Sequence, residues 1–225
     1  MRFADRRQGG EMLGEALARY RDDPDVVVLA LPRGGVPVAY EVARALHAPL
    51  DVFIVRKLGM PGHEEFAIGA IATGGVMVIN PDLAGVELPR HVVDSVAARE
   101  RSELERREHL YRGEREPLLL AGRIVILVDD GLATGSTMLA AATAVLQQHP
   151  RKVIVAVPVA ATQTCAALRD VVDEVVCAYT PEPFRAVGLW YDDFTQTTDA
   201  EVRGLLDAAT RDTEGARRSE DVPRA

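Results

Sequence analysis

The stretch Ile124-Val125-Ile126-Leu127-Val128-Asp129-Asp130-Gly131-Leu132-Ala133-Thr134-Gly135-Ser136-Thr137 decides the reading of this chain. Its unbroken apolar run, without polar alternation, predicts a strand buried on both faces, the pattern of a parallel sheet. Two carboxylates close the strand. Gly131 and Gly135 permit positive φ and a close approach of backbone to a ligand. The alanine-rich segment 136–148 predicts a helix, whose free N–H groups and positive dipole end suit a phosphate. Thr134, Ser136 and Thr137 add hydroxyl donors. The loop has no lysine, so neutral donors would hold the anion. Asp129 and Asp130 would repel a phosphate and must face another part of the ligand. Neighbouring hydroxyls of a sugar suit them, because a carboxylate only accepts hydrogen bonds.

Working outward, residues 5–20 read as an amphipathic helix. The apolar run Val26–Leu31 is a first buried strand, broken by Pro32-Arg33-Gly34-Gly35, and 36–46 is a helix. Asp51–Val55 is a second strand, closed by Arg56-Lys57. Segment 58–90 is rich in Gly and Pro, with strand-like pieces at 67–73 and 76–79, and reads as an irregular β-hairpin excursion. Residues 91–112 form a long charged helix. From Arg99 to Glu116 arginines and glutamates are equal in number, which predicts a solvated face laced with i,i+4 ion pairs. Strands at 153–157 and 171–176 flank a helix at 163–170. Segment 211–225 is charged, without apolar periodicity, and is expected to be a disordered tail. Alternating strands and helices predict an α/β fold with a single doubly wound, mainly parallel five-stranded sheet. Ligands bind such sheets beyond the carboxyl ends of the strands, which directs attention to 32–36, 56–60, 129–137 and 158–162.

The 225 residues are 48% hydrophobic, enough for a core without staples. A net charge of −8 argues against a general nucleic-acid binder. The N-terminus lacks the apolar core of a signal peptide, and no apolar run could span a bilayer. Cys165 and Cys177 have no metal spacing; each is expected to be a reduced, buried cysteine, and the protein cytoplasmic.

The acidic loop resembles the PRPP-binding signature of type I phosphoribosyltransferases, unbroken from Val125 to Thr137. A P-loop would need a lysine and a longer spacing, and a dinucleotide fingerprint a different glycine pattern. The resemblance covers roughly residues 20–195. It implies that Asp129 and Asp130 bind the ribose hydroxyls and act in catalysis, and that Ala133, Thr134, Gly135, Ser136 and Thr137 cradle the 5-phosphate. It implies that Arg33, Gly34 and Gly35 form the pyrophosphate loop, in which relatives often carry a cis peptide. Arg56 and Lys57 would add charge to the pyrophosphate site, with Lys57 also catalytic. For both loops to converge on one ligand, the first and third strands must be neighbours, as in the order 2-1-3-4-5.

Segment 58–80 falls where relatives carry a flexible loop over the site, and Gly59–Phe66 has the composition of a lid. His63, Glu64 and Glu65 match no helical metal-site spacing. Five of the aromatic residues fall between 179 and 194, where relatives build the hood over the base. Phe184 and Trp190 are the candidates to stack it, against the alternative that these rings form a small core under the hood. The expected unit is one domain over 1–210, with the hood drawn from 58–90 and 179–198. The implied reaction is displacement of pyrophosphate from PRPP by a nitrogen of a nucleobase-like acceptor. Mg2+ would be held by PRPP and water, with no direct protein ligand, and the family implies a homodimer. The alternative is a PRPP- or nucleotide-binding regulator without turnover. The stretch Phe184–Tyr191 resembles the uncharacterised phosphoribosyltransferase-like proteins of bacteria more than the hypoxanthine, adenine, orotate or uracil enzymes, and does not name the acceptor.

Overall fold

The computed structural model describes residues 1–60, 63–79 and 90–220. Asp5 starts the first helix by accepting from the Gln8 N–H. The elements are α1 (Arg6–Ala16), β1 (Val26–Ala30), α2 (Gly35–Leu46), β2 (Leu50–Val52), β3 (Val55–Met60), β4 (His63–Ala72), β5 (Val76–Ile79), α3 (Arg90–Arg112), β6 (Ile124–Val128), α4 (Ser136–Leu146), β7 (Lys152–Val159), α5 (Thr162–Arg169), β8 (Glu174–Tyr179) and α6 (Asp199–Glu220).

Five strands form a parallel sheet in the order β2-β1-β6-β7-β8, the expected 2-1-3-4-5. β1 and β6 are adjacent and in register from Val26↔Ile124 to Ala30↔Val128. Every residue of these two strands is buried. Val26, Val28, Ala30, Ile124, Ile126 and Val128 face one apolar layer, shared with α1, α2, α3 and α6. Val27, Leu29, Val125 and Leu127 face the other, shared with α4 and α5. This two-sided burial is why the runs lack polar alternation.

β3, β4 and β5 form a separate antiparallel sheet. Here the second-strand reading needs correction: β2 ends at Val52, and Arg56-Lys57 lie inside β3. The chain peels off the parallel sheet at Ile54, whose N–H donates to the Thr73 hydroxyl and whose carbonyl accepts from the Thr73 N–H. α3 carries the expected ion pairs, Arg107–Glu103 among them. It is also a packed element, with Val96, Ala97, Leu104 and Tyr111 buried. Arg112, near its end, forms a buried pair with Asp51 of β2 at 3.1 Å.

Two expectations are overturned. The cysteines are joined: Cys165 of α5 is disulfide-bonded to Cys177 of β8. α5 packs along β8 and both side chains enter the same apolar layer, a meeting that the crossover creates and no spacing announces. The expected disordered tail is helical as far as Glu220. Val202, Leu206 and Ala209 bury one stripe of α6, and the helix carries on through charged residues that are good helix formers. Residues 221–225 lie outside the described residues. No helix among the described residues is long and apolar enough to cross a membrane.

Candidate functional site

The acid pair sits at the carboxyl end of β6, beside the end of β1. The Leu31 N–H donates to the Val128 carbonyl at 2.9 Å and carries the pairing one residue past β1. The Pro32–Arg33 peptide is cis, as the resemblance implied. The two glycines of this loop are demanded by the acids. A Cβ on Gly34 would overlap the Asp130 carboxylate, and one on Gly35 would come within 2.9 Å of the Asp129 Cα. The pyrophosphate-type loop and the acid loop are therefore in contact, as convergence on one ligand requires.

The segment 133–137 forms an open cradle at the start of α4. Ala133, Thr134, Ser136 and Thr137 are exposed. Gly135 caps α4 with a positive φ of 71° and no side-chain hydrogen bond, so the first N–H groups of the helix stay available to an anion. Thr164 of α5 supports the cradle by donating to the Ala133 carbonyl at 2.6 Å. Gly34 caps α2 with no side-chain bond, but here the first N–H groups are used within the loop, Gly35 donating to the Leu31 carbonyl and Val36 to the Arg33 carbonyl at 3.1 Å.

Burial pushes both Asp129 and Asp130 upward from the ordinary carboxylate range, Asp129 far more, and the Asp130 charge raises Asp129 further. Asp129 accepts from the Asp130 N–H at 2.8 Å. Asp130 is relieved by Arg6, a residue no motif singled out, whose Nε donates to its Oδ2 at 2.8 Å. The only sequence clue to Arg6 was its place at the start of the first helix.

The basic residues are spread out. Arg33 lies 3.8 Å from the Asp199 carboxylate at the start of α6. Arg56 is bound by Glu100 of α3 through two nitrogens, at 2.6 and 2.9 Å. Arg56, expected to add charge to a pyrophosphate site, is thus half-buried and already paired, because α3 covers this face of the antiparallel sheet. Lys57, next to it on the opposite face, is exposed.

The hood segment rests directly on the acid loop. A short 3-10 turn, Val187–Trp190, presses Val187 against Gly131, where a Cβ would stand 2.5 Å from Val187 Cγ1. The Tyr191 hydroxyl donates to the Asp130 carbonyl at 2.6 Å. Tyr191, Phe3 and Val159 form a small core, with Phe184, Trp190 and Tyr179 packed on it. Trp190 meets Tyr179 edge-on at 5.4 Å, and its buried Nε1 has no hydrogen-bond partner among the described residues. The N-terminus joins this cluster, since the Phe3 N–H donates to the Trp190 carbonyl. Much of the aromatic group is therefore packing. The lid residues Pro61 and Gly62 and the side chains of His63, Glu64, Glu65 and Phe66 lie outside the described residues. Among the described residues no group of three or more His, Cys, Asp or Glu could hold a metal.

A doubly wound sheet of order 2-1-3-4-5, with an acid pair and two glycine loops meeting at its switch point, is the architecture of a phosphoribosyltransferase-type α/β protein. The phosphoribosyl transferase domain model matches residues 6–188, and the chain belongs to that family. A Mycobacterium tuberculosis protein, provisionally named a phosphoribosyl transferase, is 47% identical over 211 residues, covering 93% of this chain and 47% of that protein. The chain spans about half the length of the curated relatives it matches. The crystal structure of TT1426 from Thermus thermophilus is also 47% identical, with a TM-score of 0.82 over 92% of this chain and 98% of that one. The bifunctional protein PyrR of Deinococcus radiodurans is 32% identical over 124 residues, 52% of this chain and 66% of that protein.

Proposed function

We propose that this protein transfers a 5-phosphoribosyl group from PRPP to a nitrogen of a nucleobase-like acceptor and releases pyrophosphate. The observation that carries the reading is the contact between two ligand loops, Gly34 against the Asp130 carboxylate, the acid loop opening a helix whose glycine cap makes no side-chain hydrogen bond to its first N–H groups. Asp129 and Asp130 accept from the ribose hydroxyls. Ala133, Thr134, Gly135, Ser136 and Thr137 hold the 5-phosphate. Arg33, Gly34 and Gly35 receive the pyrophosphate, with charge added by Lys57 and by Arg56 if it leaves Glu100. Phe184 and Trp190 line the acceptor side of the hood.

The reaction needs no protein nucleophile. Positioning and stabilisation of charge on the departing pyrophosphate suffice. Mg2+ would be held by PRPP and water rather than by a protein cage, in keeping with its reluctance to dehydrate. When bound, the ion would neutralise charge on the leaving group. The unit proposed is one phosphoribosyltransferase domain over 1–210, cytoplasmic, homodimeric, and independent of nucleic acid and membrane.

The test is incubation with PRPP, Mg2+ and a panel of purines, pyrimidines and small amines, following pyrophosphate. Release with at least one acceptor is expected, and the double variant Asp129→Asn with Asp130→Asn should abolish both PRPP affinity and turnover. Saturable PRPP binding without release for any acceptor would turn the assignment to a regulator. Full retention of both by the double variant would refute the site.

A further inference from the structure

Three glycines in α1 show how tightly its first residue is placed. Glycine in a helix interior costs about 1 kcal/mol relative to alanine, so Gly9, Gly10 and Gly14 need a reason. A Cβ on Gly10 would lie 2.5 Å from the Val38 carbonyl, one on Gly14 2.7 Å from the Ala45 Cβ, and one on Gly9 2.9 Å from Pro158. The glycines let α1 seat directly on α2 and on the end of β7. That seating fixes the origin of the Arg6 side chain, which leaves the first turn of α1 beside the carboxyl ends of the strands.

Arg6 then makes three contacts with one planar group. Nε donates to Asp130 Oδ2 at 2.8 Å, and Nη1 donates to the Thr195 carbonyl at 2.8 Å. The guanidinium also lies 3.9 Å from the centre of the Phe194 ring. Both ion-pair partners are largely buried, at 11% and 16% side-chain exposure, where a charge-assisted bond is least weakened by water. Only one of the Asp130 oxygens is engaged, which leaves acceptor capacity for a ligand. Thr195 and Phe194 belong to the hood.

Resting on the phosphoribosyl-transfer reading above, we propose that Arg6 is the positioning residue of the ribose site: it holds the Asp130 carboxylate in its accepting orientation and ties the hood to that acid through Thr195 and Phe194. The groups that face Asp130 or its partner are Asp129 on the same strand end, Tyr191 and Asp193 in the hood, and Glu201 on α6. Arg6 is the cation in contact with the acid. Removing it leaves two adjacent carboxyls in a desolvated place with no cation in contact and only the Asp130 N–H to favour the charge, so both should resist ionisation more strongly.

The experiment measures PRPP binding with Mg2+ by calorimetry between pH 5 and 9, on the full chain, for wild type, Arg6→Met and Arg6→Lys. Arg6→Met is expected to weaken PRPP at least tenfold at neutral pH and to move the acid limb of the binding profile upward by about one unit, a tenfold effect. Arg6→Lys should keep the limb near wild type but recover only part of the affinity, because an ammonium cannot make the planar three-way contact. If Arg6→Met fails to fold, that pattern in Arg6→Lys supports the proposal. Equal affinity losses in both variants with no movement of the limb would reduce Arg6 to packing and overturn it, as would wild-type behaviour in Arg6→Met. Wild-type protein with no PRPP affinity would overturn the phosphoribosyl reading itself, and this proposal with it.

Discussion

The two sheets place their charged residues by opposite means. At the switch point of the parallel sheet, position is set by what glycine omits: Gly34 and Gly35 leave room for the Asp129-Asp130 pair, and a side chain on either would collide with it. On the antiparallel sheet, position is set by pairing. Arg56 is fixed by Glu100, while Lys57 on the other face stays exposed. The first kind of site is rigid and ready for an anion. The second must give up an internal contact before it can offer its charge. On the phosphoribosyl-transfer reading, the difference teaches that affinity for PRPP would reside in backbone geometry, with the basic residues adjusting it.

The strongest way to break this comparison is Gly34→Ala. The added Cβ overlaps the Asp130 carboxylate, so the acid or the loop must move. PRPP affinity should fall by about a hundredfold, since a loss near 3 kcal/mol is two powers of ten. Calorimetry on a folded variant checks it. Retained affinity would mean that the two loops do not share a ligand.

Next in size is the cost of holding the acid pair. Burial raises Asp129 well above the ordinary carboxylate range, with the Asp130 charge as the second cause. A carboxyl raised in the folded state binds its proton more tightly there than in the unfolded chain. Folding stability therefore rises as pH falls from the raised value toward the ordinary one. Asp129→Asn should remove that slope and stabilise the ligand-free protein at neutral pH by about 1–2 kcal/mol while abolishing PRPP binding, the exchange expected of a functional site. Thermal melts at several pH values would show it; an unchanged melt would indicate that the pair is not strained by its charge.

How much of this was legible depends on whether the signal is local. Ile124–Thr137 announced itself because strand, acids, glycine turn and helix start are consecutive, and the strand order followed from requiring Pro32–Val36 to meet that loop. Arg6 was not legible. Its partners Asp130 and Thr195 are 124 and 189 residues away, and nothing in its neighbourhood marks a binding arginine. The partnership of Arg56 with Glu100 was hidden likewise, because α3 reads as a solvated charged helix until the sheet is placed against it. The Cys165–Cys177 bond and the length of α6 were misjudged for related reasons. One depends on a crossover bringing α5 onto β8, the other on α2 and α3 supplying a surface for Val202, Leu206 and Ala209.

A smaller effect concerns Asp199, which sits 3.8 Å from Arg33 and accepts from the Tyr111 hydroxyl at 2.7 Å. On the phosphoribosyl-transfer reading, an incoming pyrophosphate would compete with this carboxylate for Arg33. Asp199→Asn should tighten PRPP about threefold, in line with an exposed pair worth under about 1 kcal/mol. Tyr111 is held up to about 12 by burial first and by the Asp199 carboxylate second, so its titration, followed by absorbance, should move downward in the variant. Weaker PRPP binding would instead make Asp199 part of the support for Arg33.

The smallest effect separates the two sheets most directly. Arg56 and Glu100 are 29% and 11% exposed at their side chains, so Glu100→Gln should lower stability only slightly, by about 0.5–1 kcal/mol. It also releases the guanidinium of Arg56 from a full negative charge. If Arg56 then swings toward the pyrophosphate loop, inhibition by pyrophosphate should strengthen about twofold, the scale of a single solvent-screened charge. Pyrophosphate titration of the variant against wild type decides it. No change would confine Arg56 to the contact between β3 and α3, and would leave the pyrophosphate to Arg33, Lys57 and the backbone of Gly34 and Gly35.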